Sequence, residues 1–299
     1  MARHDEIVIH LIPEQPGFRH STQQVSNGDV ALHSEALLTV ERGGGAPVVF
    51  LSEAEEPSSR WPVELLSALA RATGGSIWFD TRDIGRSSWV DEPYDIIDLM
   101  SDALVVMDAY EVEAAHLIGR GMGGQVAQQL ALAMPDRVSS LTLVSSTPGR
   151  REQFGMPEEW LIDKMSERLF AEPPTDPDEL AEWMVQQLEW FNGPVFPFDR
   201  DAALARAASE IDHGWRGPNG HGTAVVDAPD IVDFLGNILV PALVLHGTSD
   251  PVYPVEHGQG LADRIPNAEL VLIEGMGHEL PTSFVPQLVS LFEERILRR

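Results

Sequence analysis

The sequence contains no cysteine and a single lysine, Lys164, so its positive charge is almost entirely arginine. Without cysteine, disulfides, thiolate catalysis and thiolate metal ligation are excluded. The 20 basic residues are outnumbered by 47 acidic residues, which gives a formal net charge of −27. Because such a surface repels phosphate backbones and anionic lipid, we expect neither nucleic acid nor a membrane surface as a partner.

Long apolar runs are also missing. No run approaches the roughly 18 residues that a membrane-spanning helix needs. The first 13 residues contain Asp5 and Glu6 and lack the basic region and the longer apolar region of a signal peptide. These absences favour a cytoplasmic protein. With scattered acids and no thiolate, we expect no metal site either.

The chain is organised as one large domain with an insertion. Its 299 residues, 43% of them hydrophobic, suffice for a substantial core. Short apolar runs alternate with segments of helical spacing, which predicts a mostly parallel sheet covered by helices on both faces. Residues 150–235 interrupt this alternation with helical segments rich in acids, tryptophan and proline. We therefore predict an N-terminal extension over 1–24, a core over 25–149 and 236–299, and a helical lid over 150–235.

The predicted strands follow from short apolar runs bounded by turn residues. An Asn27-Gly28 turn followed by apolar residues up to Val40 predicts a strand pair near a sheet edge. The remaining core strands are predicted at residues 47–51, 76–80, 115–119, 141–144, 240–246 and 270–273.

A glycine-rich turn at residues 116–124, between a predicted strand and a predicted helix, is the most informative segment. The spacing of Gly119, Gly121 and Gly124 satisfies the G-x-G-x-x-G fingerprint of dinucleotide-binding folds. That interpretation requires an acidic residue about 20 residues further on, at the end of the next strand, to bind the ribose hydroxyls. The next strand ends instead at Ser145-Ser146. Nucleotide binding is therefore the weaker interpretation.

The same turn has the context of the G-x-S-x-G elbow that presents a catalytic serine at the start of a helix. Gly121 stands at the serine position, and a glycine cannot be acylated. Such a site also needs an acid and a histidine later in the chain. Asp250 follows one predicted strand and His278 follows the last one. This order favours a catalytic pair over two unrelated loop residues.

On these residues the chain resembles the α/β-hydrolases that include the anthracycline (aclacinomycin-type) methylesterases. The resemblance implies the α/β-hydrolase fold with an inserted lid, in which Asp250 orients His278 and His278 relays protons. Gly121 departs from the serine of the family. The resemblance covers roughly residues 25–298 and is carried by residues 79–87, 116–124, 250–251, 275–278 and 280–281.

A second departure lies in the loop after the strand at 47–51. In the family this oxyanion loop is small and contains glycine, whereas residues 51–56 here read Leu-Ser-Glu-Ala-Glu-Glu. We expect Ser52 and Glu53 near the oxyanion position, and the N–H of Met122 at the helix start remains the other donor. The three glutamates are interpreted first as an exposed acidic loop, because charges are usually solvated. Since serine and loop both depart, we favour a repurposed site.

A histidine held by an aspartate is a general base even without serine. We therefore predict a cofactor-independent lyase of polyketide-type secondary metabolism, in which His278 removes a proton and a carboxylate such as acetate leaves an acylated small molecule. The alternatives are hydrolysis by water that His278 activates, a cofactor-free oxygenase or cyclase, and a catalytically inactive binding protein. The presence of both Asp250 and His278 argues against the last.

Two further sets of residues are candidates for contacting an apolar small-molecule substrate. Arg120, inside the turn, either binds a substrate carboxylate or pairs with one of the many acids, and we weigh the two equally. Aromatic residues of the lid either form an apolar ceiling or pack the lid against the core. These residues are Trp160, Trp183, Trp190, Phe191 and Phe196.

Overall fold

The computed structural model describes residues 17–40, 45–149, 151–169 and 171–298. Within these ranges eight strands form one sheet in the order β1-β2-β4-β3-β5-β6-β7-β8. The strands are β1 Phe18–Asn27, β2 Val30–Thr39, β3 Val48–Leu51, β4 Gly75–Phe79, β5 Ala115–Arg120, β6 Val138–Val144, β7 Ala242–Gly247 and β8 Ala268–Ile273.

Helices connect the strands and form the insertion. The α-helices are α1 Val63–Ala72, α2 Ile96–Ala109, α3 Met122–Ala133, α4 Arg151–Phe154, α5 Glu159–Leu169, α6 Pro177–Phe191, α7 Arg200–His213, α8 His221–Val226, α9 Val255–Arg264 and α10 Val285–Phe292. Short 3-10 helices span Ser58–Arg60, Pro135–Arg137, Val232–Asn237 and Thr282–Phe284, and a π-helical turn spans Glu293–Leu297.

The sheet confirms the predicted architecture. Strands β3 to β8 pair in parallel with one another. At one edge β2 pairs antiparallel with both β1 and β4. Every residue of β3, β4 and β7 is buried, because helices cover both faces of these strands. Helices α1 and α10 pack on one face, and α2, α3 and α9 pack on the other.

The edge hairpin differs from its prediction. Residues 30–39 form the single strand β2, and its hairpin partner β1 lies before the Asn27-Gly28 turn. Residues 18–24 of the predicted extension thus belong to the sheet, while residues 1–16 lie outside the described ranges. Most of β1 is polar, because as the outermost strand it buries little apolar surface. Its polar sequence therefore resembled an extension.

The insertion between β6 and β7 folds as helices α4 to α8 and has a small core of its own. Met184 and Leu188 of α6 pack there with Trp215 and with Ile84 of the loop after β4. Fully burying one such side chain contributes about 1.5–3 kcal/mol. None of the helices in the described ranges is both long and apolar enough to cross a membrane.

The sheet order brings the four loops that follow β3, β5, β7 and β8 to one edge of the sheet. Strand β3 pairs with β5, and β7 pairs with β8, with β6 between the two pairs. Because these strands are parallel, the loops at their carboxyl ends meet above the same edge, where open α/β sheets bind their ligands.

A buried ion pair attaches the loop after β4 to α2. The carboxylate of Asp102 has no exposed surface, and its two oxygens accept hydrogen bonds of 2.7 Å each from Arg82 Nε and Nη2. Asn27 Nδ2 donates to the same carboxylate at 2.7 Å. We expect Arg82→Met to cost about 3–5 kcal/mol in the free energy of unfolding, because it leaves a buried charge unpaired. Urea denaturation measures this cost.

The matched control is Arg200→Met. Arg200 pairs with Glu182 and Glu189, but its side chain is 45% exposed, so solvent screens these pairs and their loss should cost far less stability than the loss of Arg82. Equal losses in the two variants would show that the Arg82–Asp102 pair has no special role.

Candidate active site

Gly121 makes the sharp turn between β5 and α3. Its backbone has φ 43° and ψ −108°, a left-handed conformation that favours glycine. The Gly121 N–H donates to the carbonyl of Val144 at 3.0 Å, and Ser146 Oγ donates to the Gly121 carbonyl at 2.8 Å. Neighbouring β6 and the loop that follows it therefore fix the turn from both sides.

The carboxylate of Glu53 occupies the space beside Gly121. A Cβ atom built on Gly121 would overlap the carboxylate carbon and both carboxylate oxygens of Glu53. A side chain at position 121 and the observed position of Glu53 therefore exclude each other. The two departures noted in the sequence meet at one point in space.

Three groups hold the Glu53 carboxylate. Oε1 accepts hydrogen bonds from the backbone N–H of Met122 at 2.9 Å and of Ala54 at 2.7 Å. Oε2 lies 3.0 Å from Nε2 of His278. Met122 is the first residue of α3, so the positive end of the helix dipole also faces the carboxylate.

His278 lies between two carboxylates. Its Nδ1 is 2.9 Å from Oδ2 of Asp250, on the opposite side of the ring from Glu53. Asp250 is itself fixed, because its Oδ1 accepts hydrogen bonds from the backbone N–H groups of Val252 and Tyr253 at 2.9 and 3.0 Å. The structure thus brings the predicted pair together and adds Glu53 as a third member.

The charges of this array follow from its contacts. Burial alone would lower the pKa of His278, but the charge and hydrogen bond of Asp250, followed by those of Glu53, raise it to about 10. Burial likewise opposes ionisation of Glu53, yet its hydrogen bond to His278 and the charge of His278 lower the pKa of Glu53 to about 2. At neutral pH the array is carboxylate–imidazolium–carboxylate, so His278 carries a proton on each nitrogen.

The expectation of an exposed acidic loop is therefore wrong. The side chains of Glu53 and Glu56 are only 13% and 10% exposed, and that of Glu55 is partly buried. Glu55 has φ 61°, and its N–H donates to Nδ1 of His221 at 2.9 Å. His221 donates from Nε2 to the Arg82 carbonyl at 2.8 Å, and burial lowers its pKa to about 4. A neutral histidine of the insertion thus fixes the loop.

Arg120 pairs with acids rather than facing the array. Its Nη2 lies 3.0 Å from Oε1 of Glu56 and 2.9 Å from Oε2 of Glu279. Glu56 follows the Glu53 loop and Glu279 directly follows His278, so one buried guanidinium links both loops to the Gly121 turn. Both carboxylates also lie near Arg60, with Nη1–Oε1 distances of 2.9 Å to Glu56 and 3.9 Å to Glu279. Of the two interpretations of Arg120, the structure favours pairing with acids.

Ser52 lies under the same loop. Its hydroxyl accepts a hydrogen bond from the indole N–H of Trp61 at 3.1 Å, and the residue is 3% exposed. The Ser52 side chain is thus engaged in packing beneath the loop.

Of the lid aromatics, Phe191 reaches the array. Its ring lies 5.5 Å from the His278 ring, and its carbonyl accepts the N–H of His278 at 2.8 Å. Trp160 is 44% exposed, whereas Trp183 packs against Trp215 and Phe196 packs against the main core. Trp190 faces Arg168, 5.8 Å from its ring centre. The arrangement resembles packing of the lid more than a continuous ceiling.

A cavity of about 50 Å³ adjoins the array. It lies between the Glu53 loop and α6, and its walls include Glu53, Arg168, Leu188 and Phe191. This volume is far below the roughly 300–1,000 Å³ of typical ligand pockets. Within the described ranges no group of three or more His, Asp or Glu side chains is placed to hold a metal ion.

Comparisons with known proteins show the family to which the chain belongs. Residues 47–281 match the family model of the alpha/beta hydrolase fold, and this covers most of the chain. The chain therefore belongs to the α/β-hydrolase family, as the resemblance in the sequence predicted. The match places it among the enzymes of the α/β-hydrolase superfamily.

Particular relatives are hydrolases. The chain is 31% identical over 281 residues to the rhodomycin D methylesterase of Streptomyces sp. strain C5, covering 87% of this chain and 93% of the relative. Among solved structures, a hydrolase from Pseudomonas aeruginosa superimposes with a TM-score of 0.69 at 26% identity, covering 91% and 98% of the two chains. An enol-lactonase from Burkholderia xenovorans shares the fold, with a TM-score of 0.71 at 22% identity, covering 93% and 100%.

The pH dependence of stability tests the ionised array. The lowered pKa of Glu53 contributes stability that is complete above its ordinary value of 4.5 and is lost as the pH falls through about 2. The raised pKa of His278 contributes stability that is complete below 6.5 and is lost as the pH rises through about 10. We therefore expect Glu53→Gln to be most destabilising between pH 4.5 and 6.5.

Urea unfolding of wild type and Glu53→Gln at pH 3, 6 and about 10 measures this difference. NMR titration of His278 provides a direct check. In Glu53→Gln the pKa of His278 should fall, because one of its two carboxylate partners loses its charge, while Asp250 should still hold this pKa above its value in a variant that lacks both carboxylates. A stability difference that does not vary with pH would mean that Glu53 and His278 are not an ion pair.

Proposed function

We propose that this enzyme hydrolyses a small molecule through a covalent ester on Glu53, and that Gly121 takes the place of a catalytic serine to make room for this carboxylate. One observation carries the proposal: the Glu53 carboxylate lies between two backbone N–H donors and the His278 imidazole. A carboxylate is an established enzymatic nucleophile when its partners are positioned in this way.

The two carboxylate oxygens have different surroundings. Oε1 accepts from Met122 and Ala54, whereas Oε2 faces His278 alone. If Oε2 forms a bond to substrate, Oε1 becomes the carbonyl oxygen of the resulting ester. It then already rests on two donors of the kind that stabilise the oxyanion when an ester is hydrolysed.

The occupied donors also determine which carbon is attacked. Attack on a substrate carbonyl would create an oxyanion on the substrate, but the N–H of Met122 is already bound to Glu53. Attack on a saturated carbon builds no such oxyanion. We therefore expect a substrate whose leaving group, such as a carboxylate, a halide or an epoxide oxygen, is attached to a saturated carbon.

The reaction proceeds in two steps. In the first, Oε2 of Glu53 bonds to the substrate carbon, the leaving group departs with the bonding electrons, and the His278 imidazolium supplies its proton. In the second, neutral His278 takes a proton from water, and the hydroxide attacks Cδ of Glu53. Collapse of this intermediate releases the alcohol, which takes the proton from His278, and the Glu53 proton then returns to His278.

The charge of Glu53 connects the two steps. Esterification removes one of the two negative charges that raise the pKa of His278. His278 then loses its proton more readily and becomes available as a base for water. Asp250 retains its hydrogen bond to Nδ1 throughout and keeps Nε2 directed towards Glu53.

The curated relatives support hydrolysis of a small molecule. The rhodomycin D methylesterase acts, by its name, on an ester. An apolar, polyketide-type substrate in antibiotic biosynthesis is part of the same proposal for this chain. The net charge of −27 favours an uncharged or cationic substrate over an anion.

Elimination is the second candidate function. It is supported by the charges that Glu53 and His278 carry at neutral pH. Glu53 is an ionised base and His278 is a protonated acid 3.0 Å away. Glu53 would take a proton from carbon, and His278 would protonate the departing carboxylate. This differs from the predicted lyase, in which His278 itself was the base. It yields an alkene and leaves no ester on Glu53.

Trapping the ester separates these candidates. In His278→Ala a leaving group that needs no proton, such as the halide of an alkyl halide, should still be displaced by Glu53, while water is no longer activated. A Glu53 ester should therefore accumulate, and turnover should fall by about 10²–10⁴-fold. The probes are small apolar epoxides, alkyl halides and methyl esters, and peptide mass spectrometry locates the adduct. The double variant with Glu53→Gln is the control and should carry no adduct. An alkene product without adduct would favour elimination instead.

Restoring the serine tests the exchange of Glu53 for a side chain at 121. In Gly121→Ser the new side chain collides with Glu53, so we expect no hydrolysis of 4-nitrophenyl acetate. Adding Glu53→Gly vacates the space and frees the Met122 N–H, and the double variant should become an aryl esterase. Glu53→Gly alone has no serine and is the matched control. Equal activity of Gly121→Ser and the double variant would contradict the exchange.

A further inference from the structure

A second buried histidine, His246, lies next to the turn that carries Asp250. It stands near the carboxyl end of β7, where its neighbours in the strand are alanine, leucine, valine and glycine, and it has no exposed surface. We call residues 250–253, which follow this strand, the Asp250 turn. Burying a polar ring in an apolar strand costs stability unless its nitrogens find partners, so the contacts of His246 indicate its role.

One ring nitrogen of His246 is directed at the Asp250 turn. Its Nε2 lies 2.8 Å from the carbonyl oxygen of Tyr253. Because a carbonyl only accepts, the hydrogen of the neutral ring is on Nε2 and is donated to Tyr253. The same nitrogen lies 3.7 Å from Oδ2 of Asp250, too far for a hydrogen bond but on the side of the carboxylate.

Tyr253 connects His246 to the His278–Asp250 pair. Its backbone N–H donates to Oδ1 of Asp250 at 3.0 Å, while its carbonyl accepts from His246. Its ring meets the ring of His278 edge to face, with 5.5 Å between the ring centres. A residue that is held by His246 therefore contacts both members of the pair.

The other ring nitrogen shows that His246 is not placed for packing alone. In the part of the chain that the structure describes, the buried Nδ1 has no hydrogen-bond partner. Burial lowers the pKa of His246 despite the nearby charge of Asp250, so the ring is neutral at pH 7 and Nδ1 is an unsatisfied acceptor. Helix α9 also approaches the ring closely, since a Cβ on Gly258 would lie 2.7 Å from Cβ and Cγ of His246. A leucine would avoid the cost of the unsatisfied acceptor but would lose the bond to the Asp250 turn.

We propose that His246 is a positioning residue, whose Nε2–H holds the Tyr253 carbonyl and thereby keeps Asp250 in place to orient His278. It acts through Asp250, because its own contact is with the turn. Its importance for turnover rests on the reaction proposed for Glu53, in which His278 is both acid and base. The effect of His246 on the bond between Asp250 and His278 does not depend on that reaction.

The hydrogen on Nδ1 of His278 reports on this bond, because it lies between the ring and Asp250 and gives an NMR signal downfield of the amides. In His246→Leu we expect this hydrogen to exchange with water about fivefold faster, since loss of one hydrogen bond eases opening of the turn. His246→Gln keeps a donor for the Tyr253 carbonyl and should retain the wild-type rate. The control is Val244→Ala on the same face of β7, which removes packing but no hydrogen bond and should leave the rate unchanged.

Nitrogen-15 NMR of the wild-type protein provides a second measurement that needs no variant. At pH 7 it should show His246 protonated on Nε2 and unprotonated on Nδ1. A hydrogen on Nδ1 would overturn the proposal. So would an unchanged exchange rate in His246→Leu, or equal acceleration in His246→Leu and either His246→Gln or Val244→Ala. Neither measurement involves turnover, so the role of His246 can fail while the Glu53 ester is trapped, and the reverse.

Discussion

The hydrogen bond between Glu53 Oε2 and His278 Nε2 is the contact on which the candidate site depends. This hydrogen bond exists only because Gly121 has no side chain. The Glu53 carboxylate fills the volume that a side chain at position 121 would need. Protein interiors are close-packed, so a vacated space next to a buried histidine is normally filled. Here a carboxylate fills it, which turns the His278–Asp250 pair into an array of three charges.

Burying these charges requires a rigid surrounding. Arg120 links the Glu53 loop and the His278 loop through Glu56 and Glu279, and the insertion contributes the His221 bond to Glu55 and the Phe191 carbonyl bond to His278. A charged group is tolerated in such a place only when well-placed partners and additional hydrogen bonds offset its loss of hydration. The core and the insertion therefore hold the same few side chains, which leaves only a small cavity beside the array.

Some features of the candidate site are common to the α/β-hydrolase family, and others are particular to this chain. The α/β-hydrolase fold supplies the turn, the acid, the histidine and the helix N-terminus. This chain departs from the family at the nucleophile position and in the adjacent loop together, and we propose that the reactive oxygen is therefore one of Glu53 rather than one at the turn.

The parallel sheet, the inserted helices, and the positions of Asp250 and His278 at strand ends could be predicted from the amino-acid sequence, because they follow from local periodicity and chain order. The sequence also located both departures, Gly121 and the loop of Glu53. The prediction from the sequence that this loop is exposed was wrong, and so was the prediction that β1 is an extension. Burial of polar residues depends on partners that are distant in the chain. Glu53 lies 68 positions before Gly121 in the sequence, and its place in the space of the missing side chain is visible only in the folded structure. Charges are buried by the contacts that surround them, and these contacts form only when the four loops meet above the sheet.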